Sequence, residues 1–428
     1  MIQIEINNSY SNIKGLSAAD EKALRHALSY IVGGSSSHFS AFGPQRRSLL
    51  DKKGNFPTGL LHRVSSFLAK KQAIILQHDN RKKPIPEGAS VSIDSYPWQN
   101  DALISAIYGS RGIISAPTGT GKSRVISLIA SYFNLKTLIV APSLEIKRQL
   151  AETLKDLSNI TVLNIDSTRL KTATHYDVLI IDEGHHVAAK TYHKLNKTAW
   201  NNIYYRFFLT ATPFRNDAEE MLLFEAIAGQ VIYKLDYHTA IKEGYIVPIE
   251  GYYINVPHQT TDAVSWTGVY KDLIVNNTPR NVIIGALLAR LHGAQKSTLC
   301  LVKEVAHGKI LSEMTGLPFI SGEDADSRKY IRQFSAKQIM AIIATTAMMG
   351  EGLDTKACEY VLIAGLGKAK SQFMQQVGRA VRRYEGKESA KIVLFKDTSH
   401  KWCLKHFNAQ AKIMKEEYRA KPMKLEIE

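Results

Sequence analysis

Cysteine is scarce in this chain: 428 residues hold three, Cys300, Cys358 and Cys403, with no Cys-x-x-Cys spacing. That excludes a disulfide framework and a thiolate zinc site as organising devices. Long apolar runs are also missing, and those present are too short to cross a bilayer. The start, Met1-Ile2-Gln3-Ile4-Glu5, lacks the basic-then-apolar order of a signal peptide. A soluble cytoplasmic protein with no membrane partner is the expectation. Acid is the third deficit, 39 Asp and Glu against 55 Lys and Arg, for a formal charge of +16 and a pI near 9.5. Such a surface attracts phosphate backbones, although charge reports association and not mechanism. What the chain has in quantity is apolar material, 45% of its residues, enough for two or three packed cores.

The first 90 residues stand apart from the rest. Ile2, Ile4 and Ile6 alternate as in a strand, and Ala18 to Val32 has helical spacing with Ser17 as N-cap. Gly33-Gly34-Ser35-Ser36-Ser37 breaks the pattern, and a second helical run, Leu60 to Leu76, ends in the polar stretch Asp79 to Gly88. Lys and Arg number 13 here against 6 Asp and Glu, a net of +7, with pairs such as Arg46-Arg47. Residues 1–90 therefore read as a small basic α+β accessory domain followed by a linker, with Arg46 and Arg47 as candidate contacts to nucleic acid. From Ile113 onward short apolar strands alternate with helices: Ile113 to Ala116, Thr137 to Ala141, Thr161 to Ile165, Val178 to Asp182 and Phe207 to Thr210. A second series follows at Thr298 to Val302, Ile339 to Ala344, Tyr360 to Ala364 and Lys391 to Phe395. Alternation of this kind predicts two tandem α/β lobes with parallel sheets, residues 91–235 and 236–428.

Ala116-Pro117-Thr118-Gly119-Thr120-Gly121-Lys122-Ser123 follows a strand and opens a helix, the setting in which a phosphate loop makes physical sense. Glycines let successive backbone N–H groups turn toward phosphate oxygens, the helix start adds the positive end of its dipole, and Lys122 reaches the β and γ phosphates. Ser123 would then hold Mg²⁺. Val178-Leu179-Ile180-Ile181-Asp182-Glu183-Gly184-His185 is a buried strand ending in two carboxylates, 60 residues beyond Lys122. That suits Asp182 for Mg²⁺ and Glu183 for polarising the attacking water. Adjacent His185 and His186 cannot easily face one zinc ion, and no thiolate accompanies them. Arg379 and Arg382, within Gln375-Gln376-Val377-Gly378-Arg379-Ala380-Val381-Arg382, are spaced to project from one face of a predicted helix. In a two-lobe ATPase such a pair stabilises charge on the transferring phosphoryl group.

Over roughly residues 95–400 this ordered set resembles the superfamily-two helicases of the DExH type, and within them the phage UvsW-type branch-migration helicases, with XPB repair helicases and restriction-enzyme motor subunits near by. The likeness rests also on Tyr96-Pro97-Trp98-Gln99, Ala141-Pro142-Ser143, Thr210-Ala211-Thr212-Pro213-Phe214-Arg215, the bridging stretch Ala240 to Pro248, Asn277-Thr278-Pro279-Arg280-Asn281, Ala344-Thr345-Thr346 and Gly350-Glu351-Gly352-Leu353-Asp354. Gly184 departs from the usual Ala or Cys of the DExH box, and Ser167-Thr168-Arg169 matches its motif loosely. The resemblance implies two RecA-like lobes and ATP with Mg²⁺ as cofactors. It implies ATP contacts from Gln99, Thr118, Gly119, Thr120, Gly121, Lys122, Ser123, Gly352, Asp354, Arg379 and Arg382, and coupling through His185, Thr210, Thr212 and Gln375. Backbone contacts to the track would come from Ser143, Thr168, Arg169, Lys303, Thr345 and Thr346. Single-stranded and branched DNA are the implied partners, with recombination or replication proteins beside them, and a monomer is expected rather than a hexamer. Three readings stay open at this point: a DNA helicase that remodels branched structures, an RNA helicase, and a DNA-binding subunit whose ATPase serves only as a switch.

Overall fold

The chain begins with a small antiparallel-leaning sheet built from β1 (Ile2–Ile6), β2 (Tyr10–Lys14), β5 (Asn55–Pro57) and β6 (Ile75–Asp79). Between them lie α1 (Ala18–Ala27), the two-stranded ladder of β3 (Ser29–Val32) with β4 (Gln45–Ser48), and α2 (Leu61–Lys70). The sheet order is β5-β2-β1-β6. A computed structural model, the structure describes residues 1–32, 45–88, 94–184, 190–211, 218–322, 326–350, 357–365 and 367–426. The chain divides into two units, residues 1–116 with 121–235 and residues 117–120 with 236–428.

Two helices expected from spacing are shorter than the pattern suggested. Ser17 does cap α1, its hydroxyl accepting from the Asp20 amide at 3.1 Å, but the helix ends at Ala27 and Ser29-Tyr30-Ile31-Val32 turns into a strand. The reason is a partner far along the chain, Ile31 lying opposite Arg46 in the ladder. Likewise α2 stops at Lys70, Gln72 takes a left-handed φ of 51°, and Ile75 to Asp79 pairs in parallel with β1. Asp79 to Gly88 is no free linker. The Asn80 amide donates to the Ile6 carbonyl, the Tyr205 hydroxyl to the Pro84 carbonyl at 3.0 Å, and the Glu87 amide to the Phe133 carbonyl at 3.2 Å.

The first RecA-like lobe follows as α3 (Pro97–Gly109), β7 (Arg111–Ser115), α4 (Lys122–Phe133), β8 (Thr137–Ala141), α5 (Leu144–Thr153), β9 (Ile160–Asn164), β10 (Val178–Ile181), α6 (Lys190–Lys197), β11 (Tyr205–Thr210), α7 (Ala218–Ala228) and β12 (Val231–Lys234). Its six strands run in parallel in the order β12-β7-β11-β10-β8-β9. Strands β7, β8, β10 and β11 are buried on both faces, which is why they read as unbroken apolar runs.

The N-terminal sheet shares its core with this lobe: Leu222 and Ala226 of α7 pack among Ile4, Ile13, Phe56, Leu60 and Val64. Backbones meet as well, since a Cβ on Gly59 would stand 2.1 Å from the Glu225 carbonyl oxygen. Glu225 is 7% exposed and receives His62 at 3.2 Å and Arg63 at 2.5 Å. Burial works against that carboxylate, but hydrogen bonds from His62 and Arg63 outweigh it and hold its pKa below the ordinary value. Fully buried Arg206 has no acid beside it among the described residues and donates to Ser9 Oγ at 2.9 Å, Asn196 Oδ1 at 2.5 Å and the carbonyls of Ile203 and Trp200.

The second RecA-like lobe contains α8 (Tyr237–Lys242), β13 (Ile249–Asn255), α9 (Trp266–Tyr270), α10 (Thr278–Gly293), β14 (Thr298–Val302), α11 (Val305–Thr315), β15 (Phe319–Ile320), α12 (Ser327–Ser335), β16 (Ala341–Thr345), β17 (Tyr360–Ile363), α13 (Lys370–Ala380), β18 (Ala390–Lys396), α14 (Lys401–Tyr418) and β19 (Met423–Lys424). Seven parallel strands lie in the order β15-β16-β14-β17-β18-β13-β19. Its core gathers Ile284, Leu288, Cys300, Val302, Ile343, Leu362, Val393 and Phe395. All three cysteines are buried free thiols, pushed up to about 12 by burial. Among the described residues no helix is long and apolar enough to cross a membrane.

Candidate functional site

Open parallel sheets bind ligands beyond the carboxyl ends of their strands, and in the first lobe the phosphate loop leaves β7 at that end. Gly121 caps α4 with a φ of 91°, and a Cβ there would stand 2.8 Å from Gln99 Nε2. Gly119 has a φ of 93°, so both positions need a residue without a side chain. Thr120 closes the turn, its hydroxyl donating to the Pro117 carbonyl at 2.8 Å, while Thr118 is half-buried. Lys122 is 8% exposed, and its ammonium donates to the Ala116 carbonyl at 3.3 Å. Among the described residues no carboxylate pairs with it. A buried cation whose partner is a neutral carbonyl suits an incoming anion. Ser123 is exposed one residue on.

Gln99 is buried, and its carboxamide is already engaged: the oxygen accepts from the Tyr96 amide at 2.9 Å and the nitrogen donates to the Gly121 carbonyl at 3.2 Å. It thus caps α3 and braces the loop. Asp182 and Glu183 follow β10, which is separated from β7 only by β11, a lateral distance of about 10 Å. Asp182 is 6% exposed and accepts from the Glu183 amide at 2.9 Å. Glu183 sits at φ 48°, a conformation uncommon outside glycine. Gly184 has a steric reason for departing from Ala or Cys, since a Cβ would come 2.9 Å from that of Phe208. Buried Thr210 ends β11, and its carbonyl accepts from the Ala116 amide at 3.1 Å, joining that strand end to the loop.

The arginine motif needs a correction. Helix α13 ends at Ala380, and Arg382 lies beyond it in an antiparallel bridge with Ile246, the Val247 amide donating to the Val381 carbonyl at 2.9 Å. The expectation that Arg379 and Arg382 share one helical face therefore fails. The bridging stretch is built into this lobe, with Tyr245, Ile246 and Val247 buried. The structure leaves His185, Thr212, Gly352 and Asp354 outside the described residues, together with the Arg379 side chain.

At the carboxyl ends of β14, β16 and β17 a small open cleft is lined by Lys303, Thr346, Gly365, Gln372, Gln376 and Gln410, among others. It brings two of the proposed track contacts, Lys303 and Thr346, together, while Thr345 is buried at its strand end. Gln376, not its half-buried neighbour Gln375, lines the cleft. In the first lobe the Ser143 hydroxyl caps α5 by accepting from the Ile146 amide at 3.3 Å, and Thr168 and Arg169 are exposed on a short 3₁₀ turn. Arg46 and Arg47 are exposed on β4.

Sequence reasoning missed what lies beneath that cleft. Asn277, Arg280 and Asn281, quoted only for their likeness, are buried at the start of α10. Arg280 donates to the Ala364 carbonyl at 2.5 Å, bracing the chain that leads into Gly365. The Asn281 amide group donates to the Val275 carbonyl at 2.8 Å, and its oxygen lies 2.9 Å from His307 Nε2, which therefore carries the proton. Burial, then the Arg280 charge, pushes His307 down to about 3. The legible signal was polar side chains interrupting a helix that otherwise reads as apolar.

The description "Type III restriction enzyme, res subunit" matches residues 92–165 and 157–215, and "Helicase conserved C-terminal domain" matches residues 287–384. The chain is 24% identical over 341 residues to the putative DNA 3'-5' helicase Rad25 of Halobacterium salinarum, covering 72% of this chain and 55% of that protein. It is 20% identical over 342 residues to the ATP-dependent DNA helicase uvsW of Enterobacteria phage T4, covering 70% and 68%. The chain thus spans about half the length of the first of these relatives. In fold it is similar to the ATP-dependent Type ISP restriction-modification enzyme LlaBIII bound to DNA, with a TM-score of 0.58 at 12% identity over 86% of this chain and 34% of that one. With one description covering the first lobe, another the second, and helicases aligning across both, the chain belongs to the superfamily-two helicases, among relatives of the UvsW and XPB types.

Proposed function

We propose that this protein is an ATP-driven DNA translocase that unwinds and remodels branched DNA, as in fork reversal and junction branch migration. The observation that carries the ATPase half is Lys122, a buried cation at the mouth of a parallel sheet with a neutral carbonyl as its partner. Two relatives whose names say DNA helicase, and a formal charge of +16, support the DNA half.

The loop from Thr118 to Lys122 receives the phosphates, its glycines turning N–H groups inward while Lys122 neutralises the β and γ oxygens. Mg²⁺, when bound through Ser123 and Asp182, offsets charge on the phosphate oxygens. Glu183 orients the water and takes its proton, and Arg379 and Arg382 stabilise charge on the transferring group. Thr210, bonded to the start of the loop, relays the state of the nucleotide toward the strand ends. Lys303 and Thr346 grip the backbone without reading sequence.

An ATPase and unwinding panel on single strands, blunt duplex, forks and four-way junctions, in DNA and RNA versions, tests this reading. Hydrolysis stimulated by DNA, with forks and junctions resolved fastest, is expected. Stimulation by RNA alone would make it an RNA helicase, and hydrolysis without displacement of a labelled strand would make it a switch.

A further inference from the structure

Beside the second lobe's cleft lies a group of rings that the proposed mechanism does not use. Trp266 opens α9, and its ring stands 4.3 Å from His406, 5.5 Å from Tyr270 and 6.2 Å from Trp402, centroid to centroid. Trp266, Trp402 and His406 are half-buried. His406 and Gln410 are one helical turn apart on α14, and Gln410 lines the cleft, so the rings continue the cleft along the same helix face.

Ammonium groups lie over two of these rings and beside His406. Lys303, itself in the cleft, places its ammonium 5.2 Å above the Tyr270 ring, and Lys401 lies 5.9 Å above Trp402. His406 is held below its ordinary pKa by burial and then by the ammonium groups of Lys368, Lys303 and Lys405, with no carboxylate among the groups acting on it. It is therefore a neutral aromatic ring at neutral pH. Its Nδ1 is buried with no hydrogen-bond partner among the described residues. A lid that only seals the core under Val269, Leu273 and Ile274 needs no lysines, and crowding them around a histidine costs free energy. Rings ringed by cations, at the end of a polar cleft, match the chemistry of a single-stranded nucleic acid, whose bases stack and whose phosphates need neutralising.

We propose that the Trp266–His406 ring pair, flanked by Lys303, Lys368 and Lys405, is a base-stacking site that takes one unstacked base of a single strand passing through the cleft. This rests on the reading of the chain as a motor on nucleic acid and adds to it a place where the base, not the backbone, is held. Such a site resists backsliding without reading sequence, because every base offers a π face.

The test compares two oligomers of equal length on the full-length protein, an oligothymidylate and a strand of abasic sugar-phosphate, by fluorescence anisotropy over a series of salt concentrations. Trp266→Leu and His406→Ala should each weaken oligothymidylate binding by about 5- to 100-fold and leave abasic-strand binding within about twofold. Trp266→Phe should restore most of the loss. Lys368→Ala and Lys405→Ala should weaken both oligomers alike and each lower the slope of log affinity against log salt by roughly 0.7. If Trp266→Leu does not fold, His406→Ala, which removes a half-buried ring, decides the matter alone. Unchanged oligothymidylate affinity in His406→Ala, or equal losses on both strands, would overturn the stacking site while leaving the motor intact. A parent protein that binds neither strand, and whose ATPase neither strand stimulates, would instead overturn the proposed function.

Discussion

The two lobes share one architecture and put different chemistry at the ends of their strands. In the first, the loops beyond β7 and β10 present glycine turns, one buried ammonium and two carboxylates. In the second, the loops beyond β14 and β16 present a lysine and a threonine, and α13 and α14 add a row of glutamines, around a cleft. The first set suits a compact polyanion with a metal ion, and the second an extended backbone gripped by several neutral donors and one cation. Their undersides differ as well. The first lobe buries Glu225 and Arg206 against the N-terminal sheet, whereas the second buries Arg280 and His307 under its own cleft. A shared fold therefore says where a ligand will sit, and the strand-end residues say which.

Deleting residues 1–90 should have the largest effect and fall on one lobe only. It would uncover Leu222 and Ala226 and strip Glu225 and Arg206 of partners, a loss of roughly 5 kcal/mol or more. The lobes report separately, because Trp98 and Trp200 lie in the first and Trp266 and Trp402 in the second. Denaturation followed in single-tryptophan variants should show the first lobe failing while the second unfolds as before. A first lobe that keeps its transition would mean the N-terminal sheet is a removable module.

Lys122→Ala should lower ATP hydrolysis by at least ~100-fold, without moving either lobe's unfolding midpoint downward. Near-normal phosphate release would remove the nucleotide from the first lobe. Gly184→Ala should cost about 1–3 kcal/mol in the first lobe, since its Cβ meets that of Phe208. A shift below about 0.5 kcal/mol would show that β11 yields there.

At neutral pH the smallest effect, because it emerges only in acid, is a difference in acid limbs. His307 in the second lobe is depressed to about 3 and His193 in the first to about 4, each chiefly by burial. The unfolded chain takes up these protons near pH 6.5, so their contribution is full above that value and falls by about 1.4 kcal/mol per pH unit as pH drops toward the native pKa. His307→Gln should flatten the second lobe's limb between pH 6.5 and 3 and leave the first lobe's unchanged. A second-lobe limb left unchanged by the substitution would mean that His307 titrates normally.

Every strand named in the lobes from an apolar run is found within two residues of its expected start, and for most of them burial on both faces leaves a signal that needs no knowledge of neighbours. Residues 29–32 and 75–79 misled because their strand state depends on distant partners, Gln45–Ser48 and Ile2–Ile6, and local spacing favoured a helix. The phosphate loop and the acidic strand end were legible because their chemistry is consecutive in sequence. Arg382 was placed on a helix because nothing local announces that Ile246 ends it by pairing. The cleft's Gln410 and the brace Arg280 come from helices with no motif of their own. They are brought to one place only by the order of the strands.

The strand that carries Arg46 and Arg47 pairs with β3, whose Ile31 amide donates to Glu219 of α7. A shared core lies behind that contact. Mechanically, this makes the basic edge a handle welded to the first lobe and not a hand on a tether. On the proposed function, a duplex arm resting there would have no compliance of its own to absorb force. Whatever distance the lobe travelled in one turnover, the arm would travel too, and slack would have to arise where the strand is held elsewhere.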